Sequence, residues 1–167
     1  MQYAYRSEST DRPESRDLLS EVEKVYGHLI DCLTEMSEVT SGPLPDSFRY
    51  TRARYRISNA SLKRRQLFDR LCTHLAPQLS AGDAARLRTL RQKDRAYLHH
   101  SASYVTKWTP GAVFGSWRRY SEEAKDIQRH LHEVAEEQLR VLTPLLMRYG
   151  YAGRRSCHLA AKNATRG

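Results

Sequence analysis

The sequence predicts an all-α protein, a four-helix bundle of the up-down-up-down kind. Apolar residues recur at three- and four-residue steps through four long stretches, the spacing of one helix face. Short segments rich in Gly and Pro separate those stretches, and no useful length of chain alternates apolar and polar residues as a strand would. Long helices joined by short connections run antiparallel to their chain neighbours, which gives the bundle.

The first helix is expected over residues 17–39, where Leu18, Val22, Val25, Leu29, Leu33 and Met36 mark one face. The segment TSGPLPD (40–46) ends it, because glycine and two prolines do not continue a helix. A second helix is expected over residues 47–79. SAGD (80–83) follows, with Ser80 as N-cap of a third helix over residues 84–108. That helix is expected to put Leu87, Leu90, Leu98, Val105 and Trp108 on one side, until TPG (109–111) breaks it. The fourth is expected over residues 112–149. One domain at 17–149 is thus flanked by polar, glycine-containing or basic segments, 1–16 and 150–167, expected to be disordered.

With 167 residues and a mean hydropathy of −0.72, the chain suits one domain with a modest core. It has no apolar run of membrane-spanning length, and its first residues lack the apolar stretch of a secretory signal. Cys32, Cys72 and Cys157 are odd in number and widely spaced, which fits a reducing cytoplasm better than a disulfide framework. Cys32 and Cys72 lie within apolar patterns and are expected to be core residues. Trp108 and Trp117 are expected to pack at the end of the bundle. Glu122, Glu123 and Asp126 are expected to pair with Arg118, Arg119 and Arg129 on the surface. No phosphate-binding glycine loop, catalytic triad or carboxylate pair is present, so no enzymatic activity is expected.

The net charge of +9 is carried mostly by arginine, the side chain suited to phosphate and carboxylate. Its densest stretch, FRYTRARYRISNASLKRRQLFDR (48–70), holds eight Arg or Lys against one Asp. Arg49, Arg52, Arg56, Lys63, Arg64 and Arg65, interleaved with Tyr50 and Tyr55, make a candidate face for nucleic acid or an acidic protein partner. No membrane partner is implied.

A weak internal repeat runs through the helices. A shift of 71 residues lays Phe68, Leu71 and Leu75 on Leu139, Leu142 and Leu146, and a shift of 72 lays His28 on His100, Leu33 on Val105 and Met36 on Trp108. Within RHLHEVAEEQL (129–139), His132 stands one turn before Glu136, a spacing that can hold a metal ion on one helix face. Two helix pairs with His in helices 1 and 3 and this His-x-x-x-Glu in helix 4 resemble the hemerythrin-like (HHE cation-binding) domains, in closest detail at HLHEVAEEQLRVLTPLL. The resemblance implies a metal site of His28, His100 (or His99), His132 and Glu136. In helix 2 the repeat places Ser61 and Arg65 where the family carries a second His and Glu. A two-iron centre is therefore not filled, and a reversible oxygen carrier is not expected. What the resemblance leaves is one iron, zinc or manganese ion in a sensory or regulatory protein. In the metal-free alternative, Arg65 neutralises Glu136.

Overall fold

The computed structural model describes residues 15–149. The expectations for residues 1–14 and 150–167, Cys157 among them, lie outside the described residues. Among the described residues five α-helices follow one another: α1 (Ser15–Ser41), α2 (Ser47–Leu75), α3 (Ala81–Lys107), α4 (Pro110–Gly115) and α5 (Trp117–Tyr149), with one 3-10 turn (Ala76–Gln78) between α2 and α3. The all-α expectation holds, and there is no strand among the described residues. No helix among them is long and apolar enough to cross a membrane.

Local chemistry sets the boundaries. The Asp46 carboxylate caps α2 by accepting from the Arg49 N–H at 2.8 Å. α2 ends at Leu75, earlier than the pattern suggests, because Pro77 has no N–H to carry the ladder onward. α3 starts earlier than expected, at Ala81, because the Ser80 hydroxyl accepts from the Asp83 N–H at 3.2 Å. The expected fourth helix is divided in two. Thr109 caps α4 with Pro110 in its first turn, and Ser116 (φ −143°, ψ 47°) leaves helical geometry before α5 begins.

α1 packs against α2 and α5, and α3 packs against α5; α2 and α3 are not closely packed together. The main core joins Leu18, Val22, Leu29 and Leu33 of α1 to Leu67, Leu71 and Leu75 of α2 and Leu131, Leu142 and Leu146 of α5. Tyr26, and not Val25, completes the buried stripe of α1. Cys32 and Cys72 are buried as expected, and burial pushes both thiols up, Cys72 to about 12. At the other end, Met36, Tyr50, Trp108, Val113 and Tyr120 form a smaller core. Tyr50 meets Tyr120 and Phe114 edge-on at 5.6 and 5.5 Å. Arg54 donates to the Trp108 carbonyl at 2.7 Å, so a cation closes the C-terminal end of α3. Trp108 Nε1 donates to Glu123 at 2.8 Å, and Trp117 Nε1 to the Gly42 carbonyl at 3.3 Å.

Leu98 and Val105 depart from the expected stripe, with 41% and 54% of their surfaces exposed. They face the gap that α2 and α3 leave between them. The internal repeat fails at the same place, since it equates buried Leu33 with exposed Val105.

A polar clasp joins the start of α3 to the end of α5. Asp83 accepts from the Tyr149 hydroxyl at 2.8 Å and from Arg148 Nη1 at 3.0 Å, with the Ser80 hydroxyl at 3.1 Å. Those hydroxyls, Tyr149 first, and the Arg148 and Arg86 cations hold its carboxyl below the usual aspartate range. A folded-state value below the unfolded one gives stability that is full above the unfolded value, about 3.9, and lost as pH falls through the folded value. Urea unfolding at a series of pH values tests this: Asp83→Asn is expected to unfold at lower urea than the wild type at pH 7, with the gap closing as pH falls toward 3.

Candidate functional site

Each of the four long helices puts one polar side chain at a core position, and the four meet. On α1 the stripe reads Leu18, Val22, Tyr26, Leu29; on α2, Ala60, Arg64, Leu67, Leu71. On α3 it reads Leu87, Leu90, Asp94, Tyr97, and on α5 Leu131, Ala135, Gln138, Leu142. Arg64 is 2% exposed and Gln138 0%. Arg64 Nη1 donates to Asp94 Oδ1 at 2.6 Å and to Gln138 Oε1 at 2.8 Å. The Tyr26 hydroxyl donates to the same Gln138 oxygen at 2.8 Å, and Gln138 Nε2 donates to Asp94 Oδ1 at 3.2 Å. The carboxamide thus uses both of its ends, which its donor and acceptor groups allow only in this orientation.

A guanidinium and a carboxylate at this depth lose their hydration and stand only because they face each other and are hydrogen-bonded. Burial, reinforced by Asp94 and opposed by Arg64, pushes the Tyr97 hydroxyl up to about 12 and that of Tyr26 further above the phenol range. Arg64 Nε is buried without a hydrogen-bond partner.

Two members of the knot, Arg64 and Asp94, reach the lining of a cleft. Between α2 and α3, over α5, lies a cavity of about 250 Å³ whose lining includes Arg64 and Asp94. Its walls are largely apolar, with Met36, Ile57, Leu98, Val105, Ile127 and Leu131 among them, and Ser58, Ser61 and Ser101 add hydroxyls. Tyr104 and Tyr120 close one end, their hydroxyls pushed well up by burial. An apolar recess with a few converging polar groups is the usual form of a small-molecule site.

The residues singled out in the sequence lie elsewhere or in other roles. His132 and Glu136 are on the outer side of α5, 43% and 65% exposed, with Nδ1 and Oε2 3.6 Å apart. His28 is exposed on α1, its Nε2 3.7 Å from the Cys32 sulfur. His100 is exposed on α3, its ring 5.9 Å from that of His130, which in turn meets Tyr97 edge-on at 5.3 Å. His99 is exposed beside it. No group of three or more His, Cys, Asp or Glu side chains is gathered as a metal site among the described residues. In the basic set Arg49, Arg52 and Lys63 are exposed, Arg56 pairs with Glu35, and Arg65 is half-buried at the cleft. The inward cation is Arg64, not Arg65, and its partner is Asp94, not Glu136. The two arginines differ by about 100° around the helix, and Arg64 is the one seven residues from Leu71 on the buried face. Asp94, Gln138 and Tyr26 belong to no motif in the sequence. The available signal was a polar side chain at an apolar register, three or four residues from buried core residues on each side.

Urea unfolding tests how the knot is held together. Arg64→Met leaves Asp94 buried and unpaired and is expected to cost about 3–5 kcal/mol. The double variant Arg64→Met/Asp94→Leu is expected to recover most of that, leaving about 1 kcal/mol for Gln138 Nε2 deprived of its acceptor. His132→Ala, which removes one exposed contact, is expected to change stability by less than about 0.5 kcal/mol.

No protein-family model matches the chain, and neither does any curated protein or solved structure.

Proposed function

We propose that this chain is a small-molecule-binding protein of the sensory or regulatory kind, an up-down-up-down bundle of α1, α2, α3 and α5 with its ligand site between α2 and α3. Short connections between the long helices support the bundle arrangement, as does the meeting of one side chain from each at the knot. The observation that carries the binding reading is the apolar-walled cavity with a charged, hydrogen-bonded floor. The reading assigns no catalytic residue, and it does not use the pair His132 and Glu136.

The test is binding of N-phenyl-1-naphthylamine, an uncharged apolar probe that fluoresces in dry surroundings. Wild-type protein is expected to enhance its emission saturably. Ser61→Phe and Ser101→Phe, which fill the cavity, are expected to weaken binding at least about tenfold, some 1.4 kcal/mol. Ser103→Phe, on the exposed outer side of α3, is expected to leave it unchanged. Equal binding by all four proteins counts against the cleft.

A second reading, an acidic protein or nucleic acid held by the outer face of α2, rests on Phe48 and Tyr55, both largely exposed, beside exposed Arg49 and Arg52. It predicts that Arg49→Ala/Arg52→Ala weakens retention of single-stranded oligonucleotide on this protein and flattens its salt dependence.

A further inference from the structure

We infer that the cleft ligand is an apolar molecule with a single carboxylate, whose head group is received at Arg64 and Arg65. The inference rests on the proposed cleft reading and adds to it the charge of the ligand and the residues that recognise it.

Three observations point the same way. The first is the unused donor edge of Arg64. Its Nη1 serves both Asp94 and Gln138, whereas Nε has no acceptor in the protein, at a residue that lines the cavity. A buried guanidinium donor without an acceptor is costly, and a carboxylate oxygen is the acceptor that its charge suits best. The second is charge balance. Beside the main cavity, a second recess of about 330 Å³ continues between α2 and α3, and Arg65, Asp94 and Leu98 line both. Across the two recesses Arg54, Arg64, Arg65, Arg91 and Arg95 stand against Asp69 and Asp94 alone. Asp94 is already engaged by Arg64, so the cleft carries an excess of cation that one ligand anion lowers.

The third observation is the distribution of apolar surface. Met36, Ile57, Val105, Ile127 and Leu131 line the main cavity but not the recess that holds Arg91 and Arg95. A ligand that is apolar at one end and anionic at the other fits this polarity, with its head at the shared boundary where Arg64 and Arg65 lie. An aliphatic or aryl-aliphatic acid is such a ligand. An alcohol of the same skeleton gains the apolar contacts but leaves the cation excess unanswered, and an amine adds to it.

The experiment is a calorimetric titration with 4-phenylbutyrate, 4-phenyl-1-butanol and 4-phenylbutylamine, which share a skeleton and differ in head group, run alongside the uncharged fluorescent probe. The acid is expected to bind at least about tenfold more tightly than the alcohol, as a charge-assisted hydrogen bond implies, with the amine weakest. Arg65→Gln is expected to narrow the gap severalfold. Arg64→Met/Asp94→Leu, expected to keep its fold, should lose the preference for the acid over the alcohol. Asp94→Asn, which leaves Arg64 without its anion, should bind the acid more tightly and gain more thermal stability from it than the wild type gains. Equal affinity for acid and alcohol, with the probe still bound in the cleft, overturns the carboxylate inference and leaves the cleft reading standing. Failure of the probe and all three compounds to bind overturns both. Acid preference that survives in the double variant assigns the anion to other residues and overturns the role of Arg64.

Discussion

The interaction on which the rest of the structure depends is the buried contact of Arg64 with Asp94, shared with Gln138 and Tyr26. Apolar side chains tolerate small slides of one helix past another, because dispersion contacts are non-directional and can be re-formed with new neighbours. A guanidinium and a carboxylate out of water cannot. A one-turn slip of α2 or α3 strands a charge in the interior, at a cost of several kcal/mol. The knot therefore fixes the axial position of each of the four long helices. It does so from the middle of each helix, where neither caps nor turns act.

The same contact accounts for the opening above it. An arginine reaching an aspartate spans more distance than two aliphatic side chains in contact, so α2 and α3 are joined through a bridge and not through a packed seam. Leu98 and Val105, on the helix face that such a seam would bury, remain exposed on the walls. The cleft thus has apolar sides and a buried ion pair in its lining. The main core lies elsewhere, between α1 and α2 and along α5. The division is one of labour among interfaces: three close the core and the fourth leaves the recess.

Clasps at the two ends of the molecule hold that arrangement in place. Arg54 ties α2 to the end of α3 through the Trp108 carbonyl, and Lys107 and Trp108 meet Glu123 of α5. At the opposite end Asp83 gathers Tyr149 and Arg148. Hydrogen bonds from Lys107 and Trp108, with Arg119 nearby, hold the Glu123 carboxyl below its usual range, as the Tyr149 and Ser80 hydroxyls do for Asp83. α3, which has no close partner on its α2 side, is anchored by its ends and its face toward α5.

The sequence by itself determined the helices and most of the core, because those depend on neighbours a few residues apart. The 3.6-residue recurrence of Leu18, Val22 and Leu29, the caps at Asp46 and Ser80, and the breaks at Pro43 and Pro110 are all local. The break at Ser116 was not visible, since nothing in its composition forbids a helix. The site was decided by tertiary structure alone. Whether Arg64 or Arg65 turns inward is a matter of about 100° of rotation, and only packing of the whole α2 face against α1 and α5 settles it. His132 and Glu136 carry a suggestive spacing, yet spacing along one helix says nothing of what other helices bring near, and here both side chains are exposed. Arg64, Asp94, Gln138 and Tyr26 have no sequence motif in common. They meet because four distant parts of the chain pack around one buried ion pair.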